Sequence, residues 1–174
     1  MAFKFNGTAI PDSGTIKYNG TSLKKLIYNG VTVWKKALSL LSSTYFTADS
    51  YVTVSSSAVK VTHNGGQGVT ITKYSKNFTN SEFAKLEIGG NYYIGTDSSV
   101  TSYMTVTLET SSGTVIATLL DQRISGDNAS RSDDFSKSVN ISSYKGQSLR
   151  LKFVLYHRYE FRDYINITKL ELHD

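Results

Sequence analysis

Cysteine is absent from this 174-residue chain, and proline occurs once, at Pro11. Without cysteine the chain can hold neither a disulfide framework nor a thiolate metal or nucleophile site, and several classes of enzyme are therefore excluded. Long apolar runs are also missing. The best candidate, residues 37–41, is too short to span a bilayer or to serve as the core of a signal peptide. The sequence predicts a soluble, unprocessed protein.

A 3.6-residue apolar period is missing as well, whereas residues that favour strands and turns are abundant. The chain contains 12 tyrosines, 8 phenylalanines and 13 glycines, with many threonines and valines. β-Branched and aromatic side chains pack well on a pleated surface, so this composition favours strands over helices. The length suits one medium domain, or a small appendage plus a domain of about 100–150 residues. We expect an all-β protein.

The first 36 residues contain three copies of one short sequence motif, around Asn6-Gly7, Asn19-Gly20 and Asn29-Gly30. Asn-Gly readily supplies two consecutive positive φ angles, so between alternating apolar residues it is a strong signal for a two-residue type I′ hairpin. Residues 1–36 are therefore predicted to form a β-hairpin meander. Leu23 and Leu26 are separated by an odd step, which predicts a bulge or bend at residues 24–25.

The third hairpin differs from the first two because it carries apolar groups on both faces. Ile27, Thr32 and Trp34 share the face that is polar in the other copies. An uncovered patch of this kind usually marks a contact surface. We expect this face to be an interface, covered either by the rest of the chain or by a second subunit, so a homo-oligomer is left open.

Part of this repeat resembles the "NG…NG…VW" segment of tail-associated structural proteins of bacteriophages and prophages. The matching residues are 16–21 and 24–31, followed by Val33-Trp34. The resemblance implies a phage-tail location and contacts with other tail or cell-surface proteins. A plain hairpin module of a bacterial protein is the alternative reading. The turn prediction is the same in both cases.

The formal charge is concentrated in these hairpins. Residues 1–36 contain six lysines and one aspartate, whereas residues 37–174 contain 13 basic and 13 acidic residues. A basic ribbon can meet nucleic acid or an acidic partner. Lysines also protect exposed strand edges against aggregation, and we favour this interpretation because the lysines are evenly spread and no arginine joins them. No nucleic-acid partner is predicted.

Residues 37–44 resemble a connector, and residues 45–174 contain a series of strand-like runs separated by glycine-, serine- and asparagine-rich turns. Such a series without intervening helices predicts an antiparallel β-sandwich. The runs are Tyr51–Ser55, Ala58–His63, Val69–Tyr74, Phe83–Ile88, Ser102–Thr110, Val115–Leu120, Ser136–Ile141, Leu149–Tyr156 and Ile165–Leu172.

The last of these runs indicate which kind of β-sandwich the chain forms. Residues 139–153 and 165–172 resemble the closing strands of galactose-binding-like jelly-roll modules, in which a Tyr-x-Gly turn leads into an alternating strand. The resemblance implies a jelly-roll sandwich for residues 45–174. Ile167 and Leu170 are separated by an odd step that a bulge at Thr168-Lys169 would absorb. Many family members have an acidic pair at that position, so its replacement by Thr168-Lys169 weakens any ion or sugar contact there.

Sugar sites need an aromatic ring and a few charged or amide groups. The densest group of such side chains lies between the last two strands, and a second group lies at residues 91–93. The alternative is that alternate members of these segments belong to the core while their charges pair with one another. The candidate glycan contacts are Tyr156, His157, Arg158, Tyr159, Arg162, Asp163, Tyr92 and Tyr93.

Enzyme and metal signatures are weak. His63, His157 and His173 show no metal-ligand spacing. Asp133 and Asp134 are adjacent, so on a strand they would face opposite ways, and we expect a loop or capping role for them. A calcium site at the aspartates 121, 127 and 133 is left open as a minor alternative. No phosphate-binding loop, dinucleotide fingerprint or nucleophile elbow is present, so neither catalysis nor a cofactor is predicted.

These observations predict a non-enzymatic structural or adhesion protein, such as a prophage tail or receptor-binding accessory. Its basic hairpin module would dock on an assembly, and its jelly roll would face a host glycan or a neighbouring subunit. The alternative is a free-standing carbohydrate-binding module of a bacterial glycan-handling system. A glycan-acting enzyme is a third class, which lacks support because no spatially plausible carboxylate pair can be named.

Overall fold

The computed structural model describes residues 4–5, 8–9, 16–18, 21–28, 31–64, 68–96, 100–157 and 163–174. Within these ranges the chain forms 17 strands and one short 3₁₀ helix, Ser142–Tyr144. No helix in them is long and apolar enough to cross a membrane. The strands are β1 (Lys4–Phe5), β2 (Thr8–Ala9), β3 (Lys17–Tyr18), β4 (Thr21–Ser22), β5 (Lys25–Tyr28), β6 (Val31–Lys35), β7 (Leu38–Ser39), β8 (Val52–Val54), β9 (Val59–Thr62), β10 (Val69–Tyr74), β11 (Phe78–Thr79), β12 (Lys85–Thr96), β13 (Ser102–Thr110), β14 (Val115–Ile124), β15 (Ala129–Asn140), β16 (Ser148–His157) and β17 (Tyr164–His173).

The first six strands form the three predicted hairpins. In each hairpin the residue before Asn-Gly pairs with the residue after it, as a two-residue loop requires. Among the described residues the hairpins are three separate two-stranded sheets rather than one continuous meander. The φ angles of the turn residues lie outside the described part of the chain. The turn-flanking pairs are Phe5 with Thr8, Tyr18 with Thr21, and Tyr28 with Val31.

The third hairpin has two irregularities, of which the sequence predicts one. The chain bends at Lys24, as expected. A second irregularity was not expected: Leu26 pairs with Trp34 and Ile27 with Thr32, so one extra residue bulges from β6. Ile27 is 51% exposed, and the side chains of the other two predicted interface residues, Thr32 and Trp34, are outside the described set. The covered interface therefore stays a prediction.

Strands β7 to β17 build the predicted antiparallel sandwich. The five-stranded sheet has the order β10–β16–β13–β14, with β11 also pairing with β16. The six-stranded sheet has the order β15–β12–β17–β9–β8, with β7 also pairing with β17. The chain crosses from one sheet to the other between β9 and β10, β12 and β13, β14 and β15, and β16 and β17. This order is that of a jelly roll, which confirms the predicted fold class.

The four crossings run at one end of the sandwich, which we call the crossing end. The strand ends that they join are residues 62 and 69, 96 and 102, 124 and 129, and 157 and 164. At the opposite end Asn80 connects two further crossings, because its Nδ2 donates to the carbonyls of Phe83 and Ile141 at 3.0 and 3.1 Å. The predicted connector contributes to the sandwich too, since β7 lies in it and Leu40 is fully buried.

Two strands exceed their predicted lengths by the most. β12 continues through residues 89–93 to Thr96, and β15 begins at Ala129, well before the predicted start. Residues 91–93 and the pair Asp133-Asp134 therefore lie inside strands, which corrects the expected loop or capping role of that pair. The physical reason is pairing: β12 is hydrogen-bonded on both sides, by β15 and β17, which outweighs the low strand propensity of glycine and asparagine.

The predicted bulge at Thr168-Lys169 is confirmed. Gly89 pairs with Lys169 and Gly90 with Ile167, so Thr168 is the extra residue. Gly90 makes this pairing possible, because a Cβ atom there would lie 1.9 Å from the Asn166 carbonyl oxygen and 2.9 Å from the Ile167 Cα. Those atoms are backbone and cannot rotate away. A Cβ at Gly89 would meet its nearest atom, the Phe135 carbonyl oxygen, at 3.3 Å.

The hairpin segment is attached to the sandwich by Lys35. Its ammonium group donates to the Glu82 carbonyl at 2.9 Å, pairs with Asp174 Oδ2 at 2.8 Å, and lies 4.5 Å from the centroid of the Phe83 ring. Its side chain is only 8% exposed. Lys35, one of the six lysines expected to protect strand edges, is therefore an anchor.

Replacing Gly90 with alanine should destabilise the fold by about 3 kcal/mol or more, because β17 must move to admit the new methyl group. Gly89→Ala is the matched control and should cost less than about 1 kcal/mol, since its neighbours need to move only slightly. Urea unfolding of both variants measures the difference. Equal midpoints for the two variants would contradict the close approach of β12 and β17.

Replacing Lys35 with alanine should loosen the third hairpin by about 1–2 kcal/mol, because an ion pair, a hydrogen bond and a cation–π contact are lost together. The neighbouring Lys36 is exposed and serves as the control. Amide hydrogen exchange of β5 and β6 should accelerate in Lys35→Ala and stay unchanged in Lys36→Ala. The same acceleration in both variants would show that the anchor is unimportant.

Candidate functional site

The structure distributes the predicted glycan contacts over three places instead of the two predicted clusters. Tyr156 lies on the outer face of the five-stranded sheet, where its ring stacks on that of Tyr103 at a centroid distance of 5.2 Å. Tyr93 lies on the outer face of the six-stranded sheet. The side chains expected to reach solvent but found buried are Tyr92, His157 and Asp163. Arg158, Tyr159 and Arg162 fall outside the described residues.

The outer face of the six-stranded sheet carries two parallel rows of side chains near the crossing end. Each row receives one residue from each of four neighbouring strands, because every second residue of a strand points to the same face. The rows follow from the registers of β15, β12, β17 and β9. One row is Ser132, Tyr93, Tyr164 and Thr62, and the other is Asp134, Asn91, Asn166 and Lys60.

Two tyrosines stand side by side in the first row. The rings of Tyr93 and Tyr164 are 6.2 Å apart between centroids, with 20° between their planes. On the β9 side, the Lys60 ammonium lies 4.0 Å from the Tyr164 centroid, a cation–π contact. Contacts from both neighbouring strands, β12 and β9, therefore fix the orientation of the Tyr164 ring.

An open pocket of 360 Å³ lies on the β12–β15 side of Tyr164. Beside it, the Asn166 amide nitrogen lies 3.5 Å from Asn91 Oδ1, a weak contact that engages the oxygen of Asn91 and leaves its N–H groups without a partner among the described residues. A ring, an amide donor and a carboxylate together form the kind of site that holds a small polar ligand. The lining residues are Asn91, Tyr92, Ser132, Asp133, Asp134 and Tyr164.

The two lining aspartates have different surroundings. Asp134 is on the outer face with Asn91, whereas Asp133 belongs to the opposite face of β15, toward Tyr92. Burial raises the pKa of the Tyr92 hydroxyl above its ordinary value, the Asp133 charge raises it further, and Arg131 opposes both. Asp133 Oδ1 also accepts a hydrogen bond from the Asp134 backbone N–H at 2.8 Å. The prediction that the two carboxylates face apart is confirmed.

A second polar group, the buried cluster of His63, His157 and Asp163, closes the core at the crossing end. The two imidazole rings are 3.8 Å apart between centroids, and His157 Nδ1 lies 4.0 Å from Asp163 Oδ2. All three residues are at most 2% exposed. The spacing of the histidines in the sequence does not predict this contact. The signal that could have found His157 is the alternation of β16, which puts it on the same face as Phe153.

Burial sets the electrostatics of this cluster. It raises the pKa of the Asp163 carboxyl to about 7, against the opposing effect of the hydrogen bond that Gly95 N–H donates to Oδ1 at 2.9 Å. Burial also lowers the pKa of His63, and the neighbouring His157 lowers it further. His63 Nε2 lies 2.8 Å from the Val69 carbonyl oxygen, so this nitrogen carries the proton and donates it.

Metal binding finds no support in the described residues, which contain no group of three or more His, Asp or Glu side chains able to hold an ion. The three aspartates considered for calcium have other surroundings: Asp121 pairs with Arg123 at 3.5 Å, Asp127 lies in the turn before β15, and Asp133 lies within β15.

No family model and no curated protein matches this chain. Among solved structures, it resembles an arabinose-bound MgGH51 α-L-arabinofuranosidase (14% identity, TM-score 0.37), with 67% of this chain and 19% of the enzyme covered. It also resembles the XRCC1 N-terminal domain (17% identity, TM-score 0.30), with 66% of this chain and 78% of that domain covered. A third similar structure is the enzymatically active domain of bacteriophage CBA120 tailspike protein 4 (12% identity, TM-score 0.32), with 73% of this chain and 18% of the tailspike covered. At such identities and TM-scores none of these likenesses indicates a function. The chain spans about a fifth of the enzyme and the tailspike.

Asp163 should give the fold a pH dependence, because its carboxyl is buried. Its folded pKa, about 7, is above the ordinary 3.8, so the folded state holds the proton more tightly and stability falls as the pH rises from 3.8 to 7. Asp163→Asn should remove this fall and be more stable than the parent at pH 8 by about 2–4 kcal/mol.

Urea unfolding of Asp163→Asn and the parent protein at several pH values between 4 and 8 measures this effect. The difference between the two proteins isolates Asp163 from other titrating groups. Asp127→Asn, an exposed change, is the control and should give no pH-dependent difference. A parent protein that gains stability relative to Asp163→Asn with rising pH would show that Asp163 is paired rather than desolvated.

Proposed function

We propose that this protein is a non-enzymatic binding protein whose jelly roll holds a glycan on the outer face of its six-stranded sheet. The observation that carries the proposal is the open pocket beside Tyr164. It combines an aromatic ring, the amide donor of Asn91 and the carboxylate of Asp134. Sugars present an apolar C–H face and a rim of hydroxyl groups, which match a ring and such polar groups respectively.

The pocket's rigidity supports binding. Tyr164 and Asn91 lie on strands in the middle of the sheet, and Lys60 and Tyr93 hold the Tyr164 ring on both sides. A site built on paired strands loses little conformational entropy when a ligand binds. The predicted loop site between β16 and β17 has no such support in its described members, because His157 and Asp163 are buried.

The hairpin segment is proposed to dock the protein on a larger assembly, as a prophage tail or receptor-binding accessory. Its support is the resemblance of residues 16–34 to phage tail proteins, the surface exposure of Ile27, and the anchor at Lys35. A free-standing carbohydrate-binding module is the alternative. In that case the same pocket binds a glycan and the hairpins only extend the fold.

The absence of catalysis is also a proposal. Asp133 and Asp134 face opposite surfaces of β15, so they cannot flank one glycosidic bond as a pair of catalytic carboxylates must. Incubation of the protein with a panel of oligosaccharides, followed by detection of new reducing ends, tests this. Cleavage that survives Asp134→Asn would place an active site elsewhere.

Tyr164→Ala should weaken glycan binding about tenfold, because the aromatic ring that lines the pocket is lost. A glycan array finds the ligand, and NMR titration of the best hit measures affinity and locates the shifted amides. Tyr103→Ala is the matched control, since Tyr103 also belongs to a stacked tyrosine pair, but on the opposite sheet. Equal loss in both variants, or shifts confined to the five-stranded sheet, would contradict this location.

A further inference from the structure

We infer that the pocket beside Tyr164 selects saccharides that are neutral or carry an amino group and rejects acidic saccharides such as uronic acids. The inference rests on the proposed glycan-binding function and adds its chemical selectivity. It follows from the charges around Asp134, the carboxylate that the pocket presents on the outer face of the sheet.

Asp134 has uncharged neighbours on that face. Ser132 and Ser136 precede and follow it on the same side of β15, and Asn91 lies directly across on β12. None of the described residues forms an ion pair with its carboxylate. A negative charge in these surroundings is compensated by water and salt alone until a ligand arrives.

Lys60, the positive charge in the same row, does not form an ion pair with Asp134. Its backbone lies three strands from that of Asp134, in the order β15–β12–β17–β9, and Lys60 does not line the pocket. Lys60 also lies on the far side of Tyr164, where it contacts the ring and not the pocket.

Other charges near the pocket compensate one another. Arg131 and Asp133 share the opposite face of β15 and both act on the Tyr92 hydroxyl, with opposite signs. Farther along the outer face, Lys169 and His173 both contact Glu87. Among the described residues, the charge that the pocket presents on the outer face without an ion-pair partner is therefore that of Asp134.

A carboxylate accepts hydrogen bonds and donates none when ionised. It binds sugar hydroxyls, binds an ammonium group with the added attraction of charge, and repels a ligand carboxylate. Exposed charge pairs contribute modest free energies, so the affinity ratio between the amino and the acidic form of one sugar should be about 2- to 30-fold. The selectivity is an electrostatic preference and should weaken as salt is added.

The test compares three β-1,4-linked tetrasaccharides of equal length, made of glucose, glucosamine and glucuronic acid, titrated into the full chain at pH 7 and low salt. The expected order of affinity is glucosamine, then glucose, then glucuronic acid. Asp134→Asn should bring the glucosamine and glucuronic acid affinities together and leave the glucose affinity within about threefold. Asp127→Asn, which removes an exposed carboxylate outside the pocket, should keep the parent order.

The outcomes separate the inference from the proposal beneath it. Equal affinities, or the tightest binding by glucuronic acid, would overturn the selectivity while Tyr164-dependent binding left the proposed function standing. The same convergence of affinities in Asp127→Asn would also overturn it, because net charge rather than Asp134 would then be responsible. Failure of all three probes and of every array glycan to bind would overturn the proposed function, and the selectivity with it.

Discussion

The close approach of β17 to Gly90 of β12 is the constraint on which the rest of the sandwich depends. No other residue fits there, because a Cβ atom would lie 1.9 Å from the Asn166 carbonyl oxygen. The approach allows Thr168 to bulge, and the bulge reverses the side-chain alternation of β17. As a result Ile165 and Leu170, on either side of it, both face the core, and the segment before the bulge is free to present Tyr164 to solvent.

The crossing end combines exposed aromatic pairs with a buried polar cluster. His157 is the chain neighbour of Tyr156, and Asp163 is the chain neighbour of Tyr164, so two of the three buried members lie next to a tyrosine that faces outward. Burial of these ionisable groups costs stability, which appears as the raised pKa of Asp163. The core is therefore least apolar where the proposed ligand pocket lies on its outer surface.

The hairpin segment and the sandwich use charge in different ways. The excess positive charge belongs to the first 36 residues, and one of these lysines, Lys35, leaves the solvent to pair with Asp174 at the end of β17. The sandwich has no net formal charge in its sequence, so the proposed ligand binding would depend on local groups such as Asp134. The proposed docking and the proposed ligand binding should thus respond to separate substitutions.

Local patterns in the sequence determined the three hairpin turns, most of the strands, the sandwich class and the bulge at Thr168, because turns and alternation are properties of neighbouring residues. The pattern also predicted that Asp133 and Asp134 face apart. The tertiary structure alone decided which strands lie side by side, and so brought His63 beside His157 and set Tyr164 beside Asn91. In a jelly roll neighbouring strands are far apart in the chain, and the face that each side chain takes depends on pairing with them, so no local pattern could have placed the pocket.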